Sequence, residues 1–469
     1  MPPSRLPTQP EPEGTAPMAP PDPHADPAPR HFPYAFTPPP RVPWYARFRA
    51  EGRPPSACIW HGLHYLLKYR RKLRIAPPEA IPHFAHQRQL IRFLAHHPAP
   101  RPEATLAMVG DLMWIRDGWA SFLHPEVLAL LAACDATVGN LETVVARNRR
   151  VPSLTLDCTR FNSHPGLVTS FRRPDGSNIF AALSMANNHV LDLGDGGLDE
   201  TAAFLDEQGI ARSGVARDDT QPRHVLFHAG PIRIGFHAAT WGVNDPRTLR
   251  RSDWSVNTVP GLAPDEAPHV DLSGIHHALA AMDADGADLK AIALHWGHEY
   301  ELYPTPKQMR VARDIVRAGA DVIVGSHPHV PQPAEVCFVN GYEARYGPEA
   351  RQRLAALSPP AGCILTGAPG PPRKALILYS LGNFTTAMYT LLCQTGLIQT
   401  IALARDEATG RADWHAPAAQ LVYNARRHPA TGTRRLVLLE SWLRDFSHRL
   451  RPQARADLAL LRGHIVAGG

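Results

Sequence analysis

The chain has 469 residues, of which 44% are apolar or aromatic and 20% charged, with a formal net charge of +6. That is enough apolar material for a large core, and the excess of arginine is too mild and too scattered among acids to indicate a nucleic-acid partner. No apolar run reaches the roughly 18 residues a membrane span needs. The six cysteines, Cys58, Cys134, Cys158, Cys337, Cys363 and Cys393, include no CxxC pair, so a reducing, cytoplasmic setting is expected and not a disulfide framework or a thiolate zinc knuckle.

Residues 1–43 hold 16 of the 48 prolines and no apolar core of a signal peptide; they read as a disordered, Pro-rich tail. Residues 44–103 read as a basic, helical extension in which KYRRKLR at 68–74 is a solvated helix face. From Ala104 the texture changes. Short apolar runs (ATLAMVG, DATVGN, IFAALSMAN, RIGFHAAT, DLKAIALHW, ADVIVGSH, KALILYSLGN) alternate with amphipathic stretches such as PEVLALLAA, LDETAAFLDEQG and TPKQMRVARDIVRAGA. The alternation predicts a layered α/β domain over 104–404. Residues 341–374 break the rhythm with glycines and prolines and read as a surface insertion. Residues 405–469 are expected to form a helical extension.

The strand ends share a habit: they finish in residues of metal-ligand type. Asp111 ends LAMVGD, Asn140 and Glu142 follow ATVG, and Asn187, Asn188 and His189 follow ALSMA; His295, His298 and Glu299 follow IAL, and His327 and His329 follow VIVGS. In extended chain His327 and His329, on either side of Pro328, point to one side. Carboxylates, carboxamides and imidazoles without thiolates suit manganese, iron or zinc. The set is larger than one tetrahedral ion needs and fits two divalent ions bridged by a carboxylate, an arrangement used for in-line attack on phosphorus or carbonyl centres.

At this point the sequence resembles a known family. GDLM at 110–113, GNLE at 139–142, ANNHVLDLG at 186–194, LHWGHEYELYPTPKQ at 294–308, GSHPHVPQP at 325–333 and YSLGNF at 379–384 are similar, in order, to the motifs of the CapA proteins of capsule and poly-gamma-glutamate synthesis, a branch of the calcineurin-like metallophosphoesterase superfamily. The resemblance covers about residues 104–404. It implies a four-layer α/β/β/α sandwich with a dinuclear site at the strand ends. It makes Asp111 and His329 ligands of a first metal, Glu142 the bridging carboxylate, and Asn188, His295 and His327 ligands of a second, with His189 as general acid. Glu299 and Asn383 are placed behind the ligands, orienting them.

Several neighbours are expected outside the metal shell. Asn140 is placed behind the ligands or at the substrate, with a loop-backbone bond as the alternative, and Asn187 likewise, with a turn role as its alternative; His298 is read as facing solvent or substrate, Trp296 as core or pocket wall, and Asp192 as a turn or helix-start residue. Ser326 has no general base assigned to it and is not read as a nucleophile. Met113 stands where the superfamily usually has a further ligand histidine, FNSHPGLVTSFRRP replaces the family's usual stretch before ANNH, and the 341–374 insertion is placed to fold over the pocket. The leading expectation is a metal-dependent hydrolase acting on phosphoesters or, second, amides, with an anionic small molecule or polymer as substrate. The alternative is a non-catalytic, metal-holding accessory protein that binds an anionic polymer during capsule assembly.

Overall fold

A computed structural model describes residues 80–97, 100–115, 118–149, 160–218, 220–264, 269–356, 363–407, 409–426, 428–429, 431–450 and 452–465. The Pro-rich tail, the KYRRKLR cluster, Cys58 and Cys158 lie outside the described residues. In chain order the strands are β1 (Ala104–Leu112), β2 (Ala136–Asn140), β3 (Phe180–Ser184), β4 (Ala211–Ser213), β5 (Val215–Ala216), β6 (His224–Ala229), β7 (Ile232–Thr240), β8 (Ser255–Val256) and β9 (Leu289–His295). They continue as β10 (Val322–Ser326), β11 (Ala334–Val339), β12 (Ile364–Leu365), β13 (Arg373–Leu378), β14 (Asn383–Thr385), β15 (Thr395–Arg405), β16 (Ala412–Ala425) and β17 (Arg435–Leu438).

All seven apolar runs become strands, divided between two sheets. One runs β17-β16-β15-β1-β2-β3-β4 with β14 beside β1; the other runs β12-β11-β13-β10-β9-β7-β6; β5 and β8 form a separate pair. Strands β1 to β4 are parallel neighbours, and so are β7, β9, β10 and β13. Parallel neighbours need long crossovers, and the amphipathic stretches supply them as helices Pro125–Ala132, Gly194–Glu207, Ser273–Ala284 and Pro306–Arg317. The last is fixed at its start by a capping box between Thr305 and Gln308 and buries Met309, Ala312, Ile315 and Val316.

Alternation along β1 shows how the layers meet. Leu106 and Met108 share a core with Ile234, Phe236, Ala291 and Ala293 of the second sheet, while Ala107 and Val109 pack with Val127, Leu131, Leu198 and Leu205 of the helices. The period-2 geometry of a strand allows one sequence to serve both faces. At Gly110 the backbone of β1 closes on Gly382, and a Cβ there would collide with the Gly382 carbonyl; Asp111 N–H donates to that carbonyl at 2.9 Å.

Three expectations are corrected. The segment from 405 onward begins not as helix but as β16 and β17, which extend the first sheet; its tyrosine, tryptophan and valine alternate across a half-buried ribbon. Helices follow only at Leu439–Phe446 and Pro452–Ile465. The end of the N-terminal extension, helix Ala80–His96, is not an accessory: it buries Ala80, Phe84, Leu90 and Leu94 in the main core. The described residues of the insertion after β11 do not cover the strand ends bearing the candidate ligands. Because β11 is antiparallel to β13, with Val339 opposite Arg373, it exits at the N-terminal end of β13, away from the C-terminal ends where those ligands collect.

His237 on β7 is buried, its Nδ1 2.7 Å from the Arg223 carbonyl, and burial, together with nearby His224 and Arg223, lowers its pKa to about 4 despite that bond. A depressed histidine contributes stability that is present above the unfolded value near 6.5 and lost as pH falls toward 4. Between those values we expect up to about 3 kcal/mol of destabilisation from this site. Melting temperature against pH should therefore be flatter over pH 6.5 to 4 in His237→Asn than in the wild type, and parallel curves would exclude the contribution.

Candidate metal centre

The C-terminal ends of both parallel arrays lie at one edge of the molecule, where the two sheets exchange polar contacts. Asp111, near the end of β1, is fully buried. Its Oδ1 accepts Asn140 Nδ2 at 2.8 Å and its Oδ2 accepts the His327 backbone N–H at 3.2 Å, across the sheets. His295 closes β9: its Nε2 is 2.7 Å from Asn188 Oδ1 and 3.5 Å from Glu142 Oε1, and its Nδ1 is 3.0 Å from Ser326 Oγ. His329 Nδ1 stands 3.1 Å from Asn383 Oδ1, 3.6 Å from Asp111 Oδ2 and 3.7 Å from Glu142 Oε2.

His327 and His329 do not lie in extended chain, contrary to the expectation. β10 ends at Ser326, and the two residues take φ values of 94° and 58°, in the left-handed region that non-glycine residues adopt only under constraint. The strain is held by the His327 N–H on Asp111 and by Tyr300 N–H on the Pro328 carbonyl at 2.8 Å. Strain of this kind collects at functional sites. The turn brings both rings toward Glu142, leaving their centres 5.9 Å apart.

Glu142 is the focus. It is completely buried, and neither carboxylate oxygen has a hydrogen-bond partner. Burial, then Asp111 and Glu299, push its pKa well above the usual carboxylate range. His327 Nδ1 is likewise buried without a partner. Burial holds the imidazoles of His327, at about 3, and His295, well below the ordinary value, in the neutral form that binds cations. Anionic oxygens and neutral nitrogens left unsatisfied in one buried place fit divalent cations. Two groups of atoms close enough to share an ion are present: Glu142, His327 and His329; and Asp111, Glu142 and His295. Glu142 belongs to both, as a bridging carboxylate would. His329 stands as close to Asp111 as to Glu142, at 3.6 and 3.7 Å, so the carboxylates and imidazoles form one continuous cluster around Glu142.

Around this centre, Asn188 reaches His295 and also donates to Asn244 Oδ1 at 3.0 Å. Asn140 bonds Asp111 and lies 3.3 Å from His295 Nδ1: the end of β2 directs it between the sheets, behind those two residues, and not to a loop backbone. Asn187 accepts from His189 N–H within its own turn and ties that turn to the end of β2 by donating to the Leu141 carbonyl at 2.8 Å. Asn383 also donates to the Cys393 carbonyl at 2.9 Å. Glu299 is partly buried and acts electrostatically on both Glu142 and His327. His298 is partly exposed and outside both groups, and Trp296 is core, stacked on Tyr379.

Sequence reading missed how His189 is held. Asp192 Oδ2 lies 2.7 Å from its Nδ1, Phe161 stacks on its ring at 3.8 Å, and Asn244 Nδ2 approaches Nδ1 at 3.2 Å. The same Asp192 oxygen accepts Phe161 N–H at 2.7 Å. Asp192 is therefore not merely a turn residue. The His-x-x-Asp spacing of His189 and Asp192 was its one signal; Phe161 and Asn244 come from distant segments and had none. Ser326 orients His295.

Such a site on two parallel arrays defines a mixed α/β protein with a buried carboxylate and imidazole centre of metal-ligand type. The chain belongs to the family described as bacterial capsule synthesis protein PGA_cap, whose model matches residues 105–388 and which is of the metallophosphoesterase type. It is 32% identical over 240 residues to the capsule biosynthesis protein CapA of Bacillus anthracis (50% of this chain, 56% of that protein). It is 31% identical over 159 residues to the PGA biosynthesis protein CapA of Bacillus subtilis (34% and 39%). A probable polyglutamine synthesis accessory protein of Mycobacterium tuberculosis is 29% identical over 222 residues (45% and 54%). The matched regions thus span between about two fifths and just over half of these relatives. No helix among the described residues is long and apolar enough to cross a membrane.

Proposed function

We propose that this chain is a metal-dependent hydrolase with a dinuclear, phosphoesterase-type centre, working in capsule or poly-gamma-glutamate synthesis. The observation that carries the reading is Glu142, a buried carboxylate with both oxygens unsatisfied and with imidazoles on two sides. The unit that carries the activity has the four-layer α/β/β/α arrangement over about 104 to 404 and is completed by helix Ala80–His96 in its core and by β16 and β17 at the edge of its first sheet. Asp111, Glu142, Asn188, His295, His327 and His329 hold two divalent ions, manganese, iron or zinc. Bound there, such ions supply Lewis acidity and activate water at neutral pH.

The remaining work falls to the chain. Asn140 and Ser326 fix the Asp111 carboxylate and the His295 ring, so the ligands are oriented before any ion arrives. Asp192 accepts a hydrogen bond from the Nδ1–H of His189 and so steadies a ring protonated on both nitrogens, which gives its Nε2 proton to the leaving oxygen and is left as the neutral imidazole. Phe161, flat against that ring, excludes water from one face and fixes the plane along which the proton is delivered.

The name of the mycobacterial relative, an accessory protein, favours a second reading in which the centre is structural and the chain holds an anionic polymer. Metal analysis of wild type, His327→Ala and Glu142→Ala, with a phosphoester screen of the loaded protein, tests both. For the hydrolase we expect about two ions per chain in the wild type and fewer in both variants. His189→Ala, Asp192→Asn and wild type should bind metal alike, with activity down roughly 100-fold or more in His189→Ala and less in Asp192→Asn. Full metal with no turnover on phosphoester or amide panels would favour the accessory reading, and absence of metal after loading would end both.

A further inference from the structure

A second polar pocket lies at the other end of the second sheet. Its walls include Asp321, just before β10, Arg373 and Lys374, which open β13, Arg411, just before β16, and Arg345 from the turn after β11. β10 and β13 lead from this end to His327 and Asn383 at the other, a strand length of about 20 Å for the six residues of β13. The pocket is therefore not a part of the metal centre. The acids in its walls, Asp321, Asp406 and Asp413, are fewer than its four cations and are already engaged. Asp413 takes Lys374 Nζ at 2.6 Å and the Tyr342 hydroxyl. Asp406 takes Arg345 at 2.6 Å and the Thr409 amide at 2.9 Å. Asp321 takes the Lys290 amide at 2.9 Å and Arg411 only distantly, at 3.3 and 3.4 Å.

Arg373 is left short. Its side chain is 7% exposed, its Nη2 donates to the Val316 carbonyl and its Nη1 to Pro369 O at 3.5 Å. Its Nε has no hydrogen bond, the nearest acid oxygen being Asp321 Oδ1 at 3.7 Å. A buried guanidinium N–H is normally satisfied, and here it belongs to a pocket whose other cations converge. We propose that the pocket binds a small oxyanion, a phosphate or carboxylate group, with Arg373 Nε, Arg411 and Arg345 as its donors. The pocket opens to solvent between these side chains, so an anion reaches them from the surface. Planar guanidinium forks are the side chains best matched to these anions.

The test uses full-length Glu142→Gln protein, stripped of metal and dialysed free of chelator, so that phosphate has no metal centre to occupy. Calorimetric titration at low ionic strength with sodium phosphate, and separately with sodium acetate, should show one saturable site for at least one of the two, which names the preferred oxyanion. Arg411 is partly exposed, and Arg411→Ala in that background should weaken affinity about tenfold or more in protein that still melts cooperatively above the titration temperature; Arg345→Ala should act in the same direction. Absence of saturable binding of either anion, or equal affinity with and without Arg411, would overturn the proposal. Neither result depends on whether the chain hydrolyses phosphoesters.

Discussion

Glu142→Gln protein is expected to melt higher than wild type when both are free of metal, and lower when both are held in excess manganese or zinc. In the metal-free chain Glu142 is a buried acid whose oxygens meet no donor, close to Asp111 and Glu299. The isosteric amide has no charge to bury at any pH and adds two N–H donors beside Asp111 and Glu299, and relieving an unsatisfied buried group is worth roughly 1–3 kcal/mol, a rise of a few degrees. With metal the sign reverses. A ligand at a thousandfold excess over its Kd stabilises the native state by about 4 kcal/mol, and a protein lacking the carboxylate shared by both ligand groups forfeits most of it. Two melting curves per protein, with and without metal, decide the matter. An equal metal-induced shift in the two proteins would remove Glu142 from the centre, and a lower metal-free melting point in the variant would mean that the carboxylate has a partner.

Glu335→Ala is expected to cost 3–5 kcal/mol, the range for stripping one partner from a buried ion pair. Glu335 is fully buried on β11. Its Oε1 accepts Arg313 Nε at 2.7 Å, and its Oε2 lies 2.8 Å from the Tyr379 hydroxyl and 3.2 Å from His83 Nε2. Although burial pushes the carboxyl up, the bonds from His83 and Arg313 win and hold it below the usual range. Its contribution is therefore present above the unfolded value and lost only as pH falls through the folded one. The carboxylate also ties helix Ala80–His96 to the second sheet, beside the Gln87 bonds to β11 and to Cys363. Urea unfolding should show the loss, and limited proteolysis should open the chain within 80–97 before the sheets unfold. A loss under about 1 kcal/mol, the scale of an exposed pair, would show that the cluster does not clamp the helix. His83, Glu335 and Cys363 are also close enough to share an ion, but the Arg313 guanidinium already fills that role with its own positive charge.

What the sequence by itself determined was the α/β alternation and the residue types at the ends of the runs. The seven apolar runs that became strands are legible because a parallel strand buried on both faces must be apolar nearly throughout, and a polar residue closing such a run stands out. On that basis Asp111, Glu142, Asn188, His295, His327 and His329 stood out together with Asn140, Asn187, His189, His298 and Glu299, and only the resemblance to the CapA family separated the six from the rest. Tertiary structure alone decided that the carboxylates and imidazoles meet around Glu142, since the left-handed turn at His327 and His329 depends on contacts with Asp111 and Tyr300 from other elements. It also decided that Asn140 meets two ligands and that Phe161, Asp192 and Asn244 surround His189. The half-buried alternation of β16 and the destination of the 341–374 insertion were settled by partners as well: β15 supplies the ladder for the one, and the antiparallel turn from β11 to β13 sends the other to the far end. Periodicity reports how a residue sits on its own element, whereas strained turns, ligand grouping and sheet edges are set by energies shared between elements distant in the chain.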